Sequence, residues 1–124
     1  CKRHASPIYT DFCTSRPLER EVREVADGSF MMMECPQNRH DSAPEVLAQA
    51  LWGTYHATSF VDGLDRLMAL SANNQVLSTY ATLAAALFGE NQLPIEWCLL
   101  LHKADLIHQL ARDLAVSSSN RCIY

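Results

Sequence analysis

No run of apolar residues in this 124-residue chain approaches the ~20 needed to cross a bilayer. The most hydrophobic stretch, Leu77 to Phe88, is interrupted by Ser78, Thr79 and Thr82 and reads as a buried helix. No leader of the charged-then-apolar type opens the chain, so no membrane partner is expected. The chain begins on Cys1 rather than Met, which fits a fragment or a processed product. A basic excess is also missing. Ten Lys and Arg face fourteen Asp and Glu, for a net charge of −4. A dedicated nucleic-acid binder would show a basic face, so nucleic acid is excluded as an expected partner. The five cysteines, at 1, 13, 35, 98 and 122, are odd in number and include no CxxC pair. Neither a disulfide framework nor a zinc ribbon is indicated. Reduced thiols in a cytoplasmic protein are the expectation.

Alternating strand patterns, internal repeats and heptad runs are absent as well. What remains is helical periodicity, and it predicts an all-α fold, a compact bundle of five or six helices. Residues 1–41 read as an N-terminal arm with one short helix and a loop. In that arm Ser15 looks like an N-cap, Pro17 stands in the first turn, and Leu18, Val22 and Val25 share a face before Gly28 stops the helix. Residues 42–116 read as the helical core and 117–124 as a polar tail. Ser42-Ala43-Pro44-Glu45 is a capping box leading into Val46, Leu47, Ala50, Leu51 and Tyr55. Ser59-Phe60-Val61-Asp62 opens the next helix, with Asp62 placed favourably near the positive end of the dipole. Asn73 or Asn74 caps a third, which runs to Gly89. Pro94 starts a last helical stretch through Trp97, Leu100 and Leu101 and on to Leu106, Ile107, Leu110 and Leu114.

The order of these elements carries a resemblance. Ala50-Leu51-Trp52, the Ser59-Phe60-Val61-Asp62-Gly63-Leu64 helix start, Ala84-Ala85-Ala86-Leu87-Phe88-Gly89, Leu93-Pro94-Ile95-Glu96-Trp97 and the closing Leu106-to-Leu114 helix follow one another as in the C-terminal part of the ADP-ribosylglycohydrolase family, which includes the dinitrogenase-reductase-activating glycohydrolases and the J1 crystallins. The segment Ala43 to Leu114 resembles that family, and the resemblance implies its C-terminal helical fold.

The same resemblance implies a loss. In the family a Gly-Gly-Asp-Thr-Asp-Thr sequence supplies two aspartates that ligate a pair of divalent metals, which hold ADP-ribose and activate water. The matching stretch here is Ser71-Ala72-Asn73-Asn74-Gln75-Val76, with Asn73 and Gln75 where the acids stand. Mg²⁺ prefers hard anionic oxygens, and the charge of the carboxylates offsets its dehydration. Amides keep an oxygen but lose that charge, so no dinuclear cluster and no catalytic residue are expected. The family's remaining ligands lie in an N-terminal region for which residues 1–41 offer no match. Asn73, Asn74 and Gln75 then read either as helix capping or as a relic site able to hydrogen-bond a ligand.

Other constellations carry less. Cys98, His102, Asp105 and His108 recur at three- and four-residue steps, but steps of three drift around a helix, and no second Cys pair completes a tetrahedron. A solvated polar face accounts for them. Cys13, Cys35, His40 and Asp41 have no nucleophile signature around them. Arg16, Arg20 and Arg23, interleaved with Glu19, Glu21 and Glu24, read as a mixed-charge helix surface. Met31, Met32 and Met33 could form an adaptable partner-binding patch or fold onto the core. Trp52 and Trp97 read as core or interface anchors.

The function expected is that of a non-catalytic relative of the ADP-ribosylglycohydrolases, working by self-association or on a protein partner, without a cofactor. Met31, Met32, Met33, Trp52, Trp97 and the Ala-rich helix are the candidate contact surfaces. Two alternatives stand beside it. One is a divergent hydrolase of ADP-ribosyl bonds needing Mg²⁺. The other is a metal-free sensor of ADP-ribose or a related nucleotide.

Overall fold

The computed structural model describes residues 18–119. The expected Ser15 cap and Pro17 lie outside them. Helix α1 is short, Arg20–Ala26, and buries only Val25. Its Glu19 cap makes no side-chain bond to the helix, so α1 is held by packing rather than by its own terminus. The mixed-charge surface expected there takes the form of an exposed Arg20–Glu24 pair at 2.9 Å. Pairs of this kind add little stability. A single 3₁₀ turn, Ser29–Met31, follows Gly28, and an irregular segment then leads to Ser42.

Helix α2, Ala43–His56, starts where the capping box predicts, with Pro44 in its first turn. The Glu45 carboxylate reaches back to accept the backbone N–H of Ser42 at 3.2 Å and of His40 at 3.0 Å. Helix α3, Phe60–Ala69, is capped by Ser59, whose hydroxyl accepts the Asp62 N–H at 3.2 Å. Helix α4, Asn74–Phe88, is capped by Asn73 and ends at Gly89, whose backbone has φ 82°. That combination of φ and ψ is open essentially only to glycine.

The core lies where α2, α3 and α4 meet. Val46, Ala50, Trp52, Phe60, Leu67, Val76, Tyr80 and Ala84 form one buried cluster, in which Leu67, Val76 and Tyr80 are fully enclosed. Small residues let the helices come this close. A Cβ on Gly53 would lie 2.7 Å from Leu67 Cδ1, and one on Gly63 would collide with the Tyr80 ring and hydroxyl. The Tyr80 hydroxyl, buried between α3 and α4, donates to the Phe60 carbonyl at 2.7 Å. Burial raises the Tyr80 pKa, and the nearby Asp62 charge adds to the rise, so the phenol stays a donor. Helix α1 and the 3₁₀ turn close one side of α2.

The all-α expectation holds: six α-helices and no strand occur among the described residues. The C-terminal stretch differs in detail. It is two helices, α5, Ile95–Leu100, and α6, Ala104–Ser119. Leu101 is extended and Lys103 adopts φ 60°, so the chain turns there without a Gly or Pro. Helix α6 also runs on to Ser119, into the 117–124 stretch read as a polar tail. The apolar side chains of both helices remain largely exposed.

Candidate functional site

Asn73 sits at the mouth of α4, between the end of α3 and the loop that precedes α2. Its Oδ1 accepts the Val76 N–H at 2.9 Å, and its Nδ2 donates to the Asp41 carboxylate. Asp41 reaches it from far upstream because its backbone adopts φ 52°, a left-handed conformation that Asp tolerates better than most residues. Asn38 Oδ1 takes the Asp41 N–H at 2.9 Å and fixes that turn. Asn74 and Gln75 are exposed on the first turn of α4. Gln75 lines a shallow cavity of about 350 Å³ with Asp41, Ala43, Val46, Leu47 and Thr79.

The chemistry of this donor set is limited. The side-chain oxygen of Asn73 already accepts a bond from the helix terminus, Gln75 brings a neutral amide, and only Asp41 brings charge. Among the described residues, no three His, Cys, Asp or Glu side chains gather closely enough to hold a metal ion. The residues present therefore do not fit the pair of divalent metals that the family resemblance implies, and no reaction step is derived through such a pair. Of the two readings open to Asn73, the geometry realises the helix cap. The three polar residues are not brought together as one pocket, because Asn73 points into a cap while Asn74 and Gln75 face solvent.

The other residues singled out by sequence are dispersed. Met31 is half-buried in the 3₁₀ turn, whereas Met32 and Met33 are exposed. The loop is nevertheless tied down. The Met32 carbonyl accepts the Trp52 indole N–H at 3.1 Å, and His56 Nε2 lies 2.9 Å from the same oxygen. Trp52 is thus buried within the fold, where it anchors the methionine loop. Trp97 is at the surface and meets Phe60 edge-on at 6.4 Å. His108 approaches Glu90 at 3.8 Å, and Cys98 and His102 form no metal cluster with it. Cys35 is half-buried beside the Pro36 carbonyl, and burial pushes its thiol pKa up, the reverse of what a nucleophile needs.

Two features escaped the sequence reading. Asp41 carries no motif, and its only signal was a polar loop ahead of a capping box. The Glu45 carboxylate, read as half of that box, also takes the Arg39 N–H at 3.4 Å. Burial of the group would raise its pKa, but the bonds from His40, Ser42 and Arg39 outweigh this and hold it below the usual value.

Among known proteins, a family model described as ADP-ribosylglycohydrolase matches residues 4–123, nearly the whole chain. No curated protein and no solved structure matches it.

Proposed function

Because the chain belongs to the ADP-ribosylglycohydrolase family, we propose that it is a non-catalytic member of it that acts as an interaction or assembly module. One observation carries this reading. Where the family places metal-ligating aspartates, this chain has Asn73 and Gln75, and the Asn73 oxygen is engaged by the Val76 N–H. A carboxylate there would bring charge and a second free oxygen, and the amide brings neither. Fold persists where the site residues have gone, so the family fold alone does not argue for hydrolysis.

A module needs a surface, and the exposed side chains of Met32, Met33 and Trp97 and the apolar faces of α5 and α6 supply it. Apolar patches this extensive mark contact sites in soluble proteins. No helix among the described residues is long and apolar enough to cross a membrane. A cytoplasmic location, supported by an odd number of cysteines without paired spacing, belongs to the same reading.

The shallow cavity shared by Asp41 and Gln75 favours a second reading, a metal-free sensor of ADP-ribose or a related nucleotide. Thermal unfolding with ADP-ribose, with and without Mg²⁺, separates the three possibilities. The module reading expects no shift under either condition. A metal-independent rise supports the sensor, because a ligand that binds only the folded state stabilises it. A rise that needs the metal overturns the non-catalytic reading.

A further inference from the structure

One groove of the fold stands open between α1 and α2. Its lining is almost wholly apolar and includes Val22 and Ala26 from α1, Phe30, and Leu47 and Leu51 from α2. The volume is about 540 Å³, within the ~300–1,000 Å³ of pockets that take up apolar groups. No side chain from the described residues fills it, and Val22 and Leu47 are 39% and 40% exposed on its two walls. Helix α1 has seven residues, buries only Val25 and makes no side-chain cap bond. A helix that short does not persist without packing, so whatever fills the groove also holds α1.

The chain outside the described residues supplies a candidate at that spot. Residues 1–17 join α1, one wall of the groove, through Leu18 and Glu19 alone. They carry Ile8, Tyr9 and Phe12, which fall on one side at helical spacing. Thr14-Ser15-Arg16-Pro17 follows, a turn-forming composition in which Pro17 disfavours a helical backbone at Arg16, and this suits a reversal of direction. The five residues from Cys13 to Pro17 can span up to ~17 Å. Val22 and Ala26 lie only ~6 Å apart along α1. The tether is therefore long enough to lay Phe12 beside either of them.

Charge favours the same occupant. Residues 1–17 hold Lys2, Arg3 and Arg16 against Asp11, a net charge of +2 (three cations less one acid). The shelf that adjoins the groove at Val25 and Pro44 carries Glu21, Glu24 and Glu45 against Arg20. Arg39 stands at its edge, its Nε donating to Gln37 Oε1 at 2.7 Å. Acids still outnumber cations there, so the shelf attracts a basic segment. A tethered segment also meets the groove at an effective concentration in the ~mM range, which a free partner or a second copy of equal affinity does not match.

We propose that residues 8–12 dock in the groove between α1 and α2 of their own chain, as a strap that places Phe12 between Val22 and Leu47. The strap completes the packing of α1, with its flanking basic residues beside the acidic shelf. It uses none of the residues assigned to the interaction surface, so it stands or falls separately from the non-catalytic reading.

Urea unfolding of the full chain, run as a double-mutant cycle at several protein concentrations, tests it. Phe12→Asp is expected to raise the unfolding equilibrium constant roughly tenfold or more, as for the lost burial of a Phe side chain. Phe12→Leu should stay close to wild type. In a Leu47→Asp background, where the groove no longer accepts an apolar group, the Phe12→Asp step should shrink below roughly twofold. Should Leu47→Asp fail to fold, Val22→Asp on the other wall serves the same purpose. Unfolding indifferent to Phe12→Asp overturns the proposal, as does a Phe12→Asp step of full size in the groove variants. An unfolding midpoint that rises with protein concentration, and loses that rise in Phe12→Asp, also overturns it, because the groove is then filled by the arm of a second copy.

Discussion

Gly63 is the position where adding one carbon should reveal most about the packing of this fold. It lies in the first turns of α3, and an alanine Cβ there would meet Tyr80 Cζ at 2.6 Å and Cε2 at 2.7 Å, with the hydroxyl closer still. The ring cannot swing aside, because Tyr80 is fully buried and its hydroxyl is bonded to the Phe60 carbonyl. Overpacking of this kind costs ~1–3 kcal/mol. Loss of the buried hydrogen bond as the ring moves adds ~1–3 kcal/mol. Replacing Gly by Ala within a helix returns ~1 kcal/mol through propensity. The net for Gly63→Ala is a destabilisation of ~1–5 kcal/mol, the sum of those effects. Urea unfolding of Gly63→Ala, Tyr80→Phe and the double variant measures it. Tyr80→Phe removes the nearest colliding atom, so the double variant should be less destabilised than the two single losses added together, by ~0.5–3 kcal/mol. If Gly63→Ala unfolds at the same urea concentration as wild type or higher, propensity has won. In that case α3 and α4 do not approach as closely as described.

The Glu45 carboxylate is held below its usual pKa, since bonds from His40, Ser42 and Arg39 outweigh desolvation, and that of Asp62 is lowered by its bonds from Thr58 and Arg66. A depressed carboxylate contributes stability that is present above its unfolded pKa and lost as pH falls through the folded one. Melting temperatures followed from neutral pH into acid should therefore fall below the ordinary carboxylate range, near ~4. Glu45→Gln should lie below wild type at neutral pH and converge with it in acid, and parallel curves at all pH values would refute the assignment. Asn73→Ala should cost ~1 kcal/mol through the lost cap. Asn73→Asp keeps a capping oxygen but sets a second carboxylate against Asp41, so it should be less stable than wild type at neutral pH. The two like charges raise the folded pKa of one acid, and stability should recover as that group protonates. Chemical denaturation at neutral and mildly acidic pH reads both variants.

The starts of α2, α3 and α4 were legible because each is marked by local chemistry: the Ser42–Glu45 box, the Ser59 hydroxyl and the Asn73 amide satisfy backbone groups within a turn of themselves, so no knowledge of the tertiary fold is needed to place them. Pro94 marked the start of α5 by its fixed φ alone, and α1 begins at Arg20 with no side-chain cap to announce it. The turn between α5 and α6 was illegible for the opposite reason. It depends on Leu101 and Lys103 adopting extended and left-handed backbones, and neither residue type signals a break. The roles of Gly53 and Gly63 were hidden too, since a glycine within a helix declares its use only when the side chains opposite are known. At the candidate site, the absence of carboxylates at 73 and 75 could be read directly. The approach of Asp41 could not, because it depends on one positive φ some thirty residues upstream.

The loop that carries the methionines is tied at two places. The Met32 carbonyl is held by Trp52 and approached by His56, and the Pro36 carbonyl accepts the Gln49 amide at 2.8 Å. Both ties use backbone oxygens, so they do not depend on what happens to the thioethers. Met32 and Met33, 67% and 85% exposed, can consequently be converted to sulfoxides while every bond that positions the loop stays in place. A patch of two soft apolar side chains would become polar at its tips without any unfolding, and the surface would change its chemical character while the fold beneath it stood still.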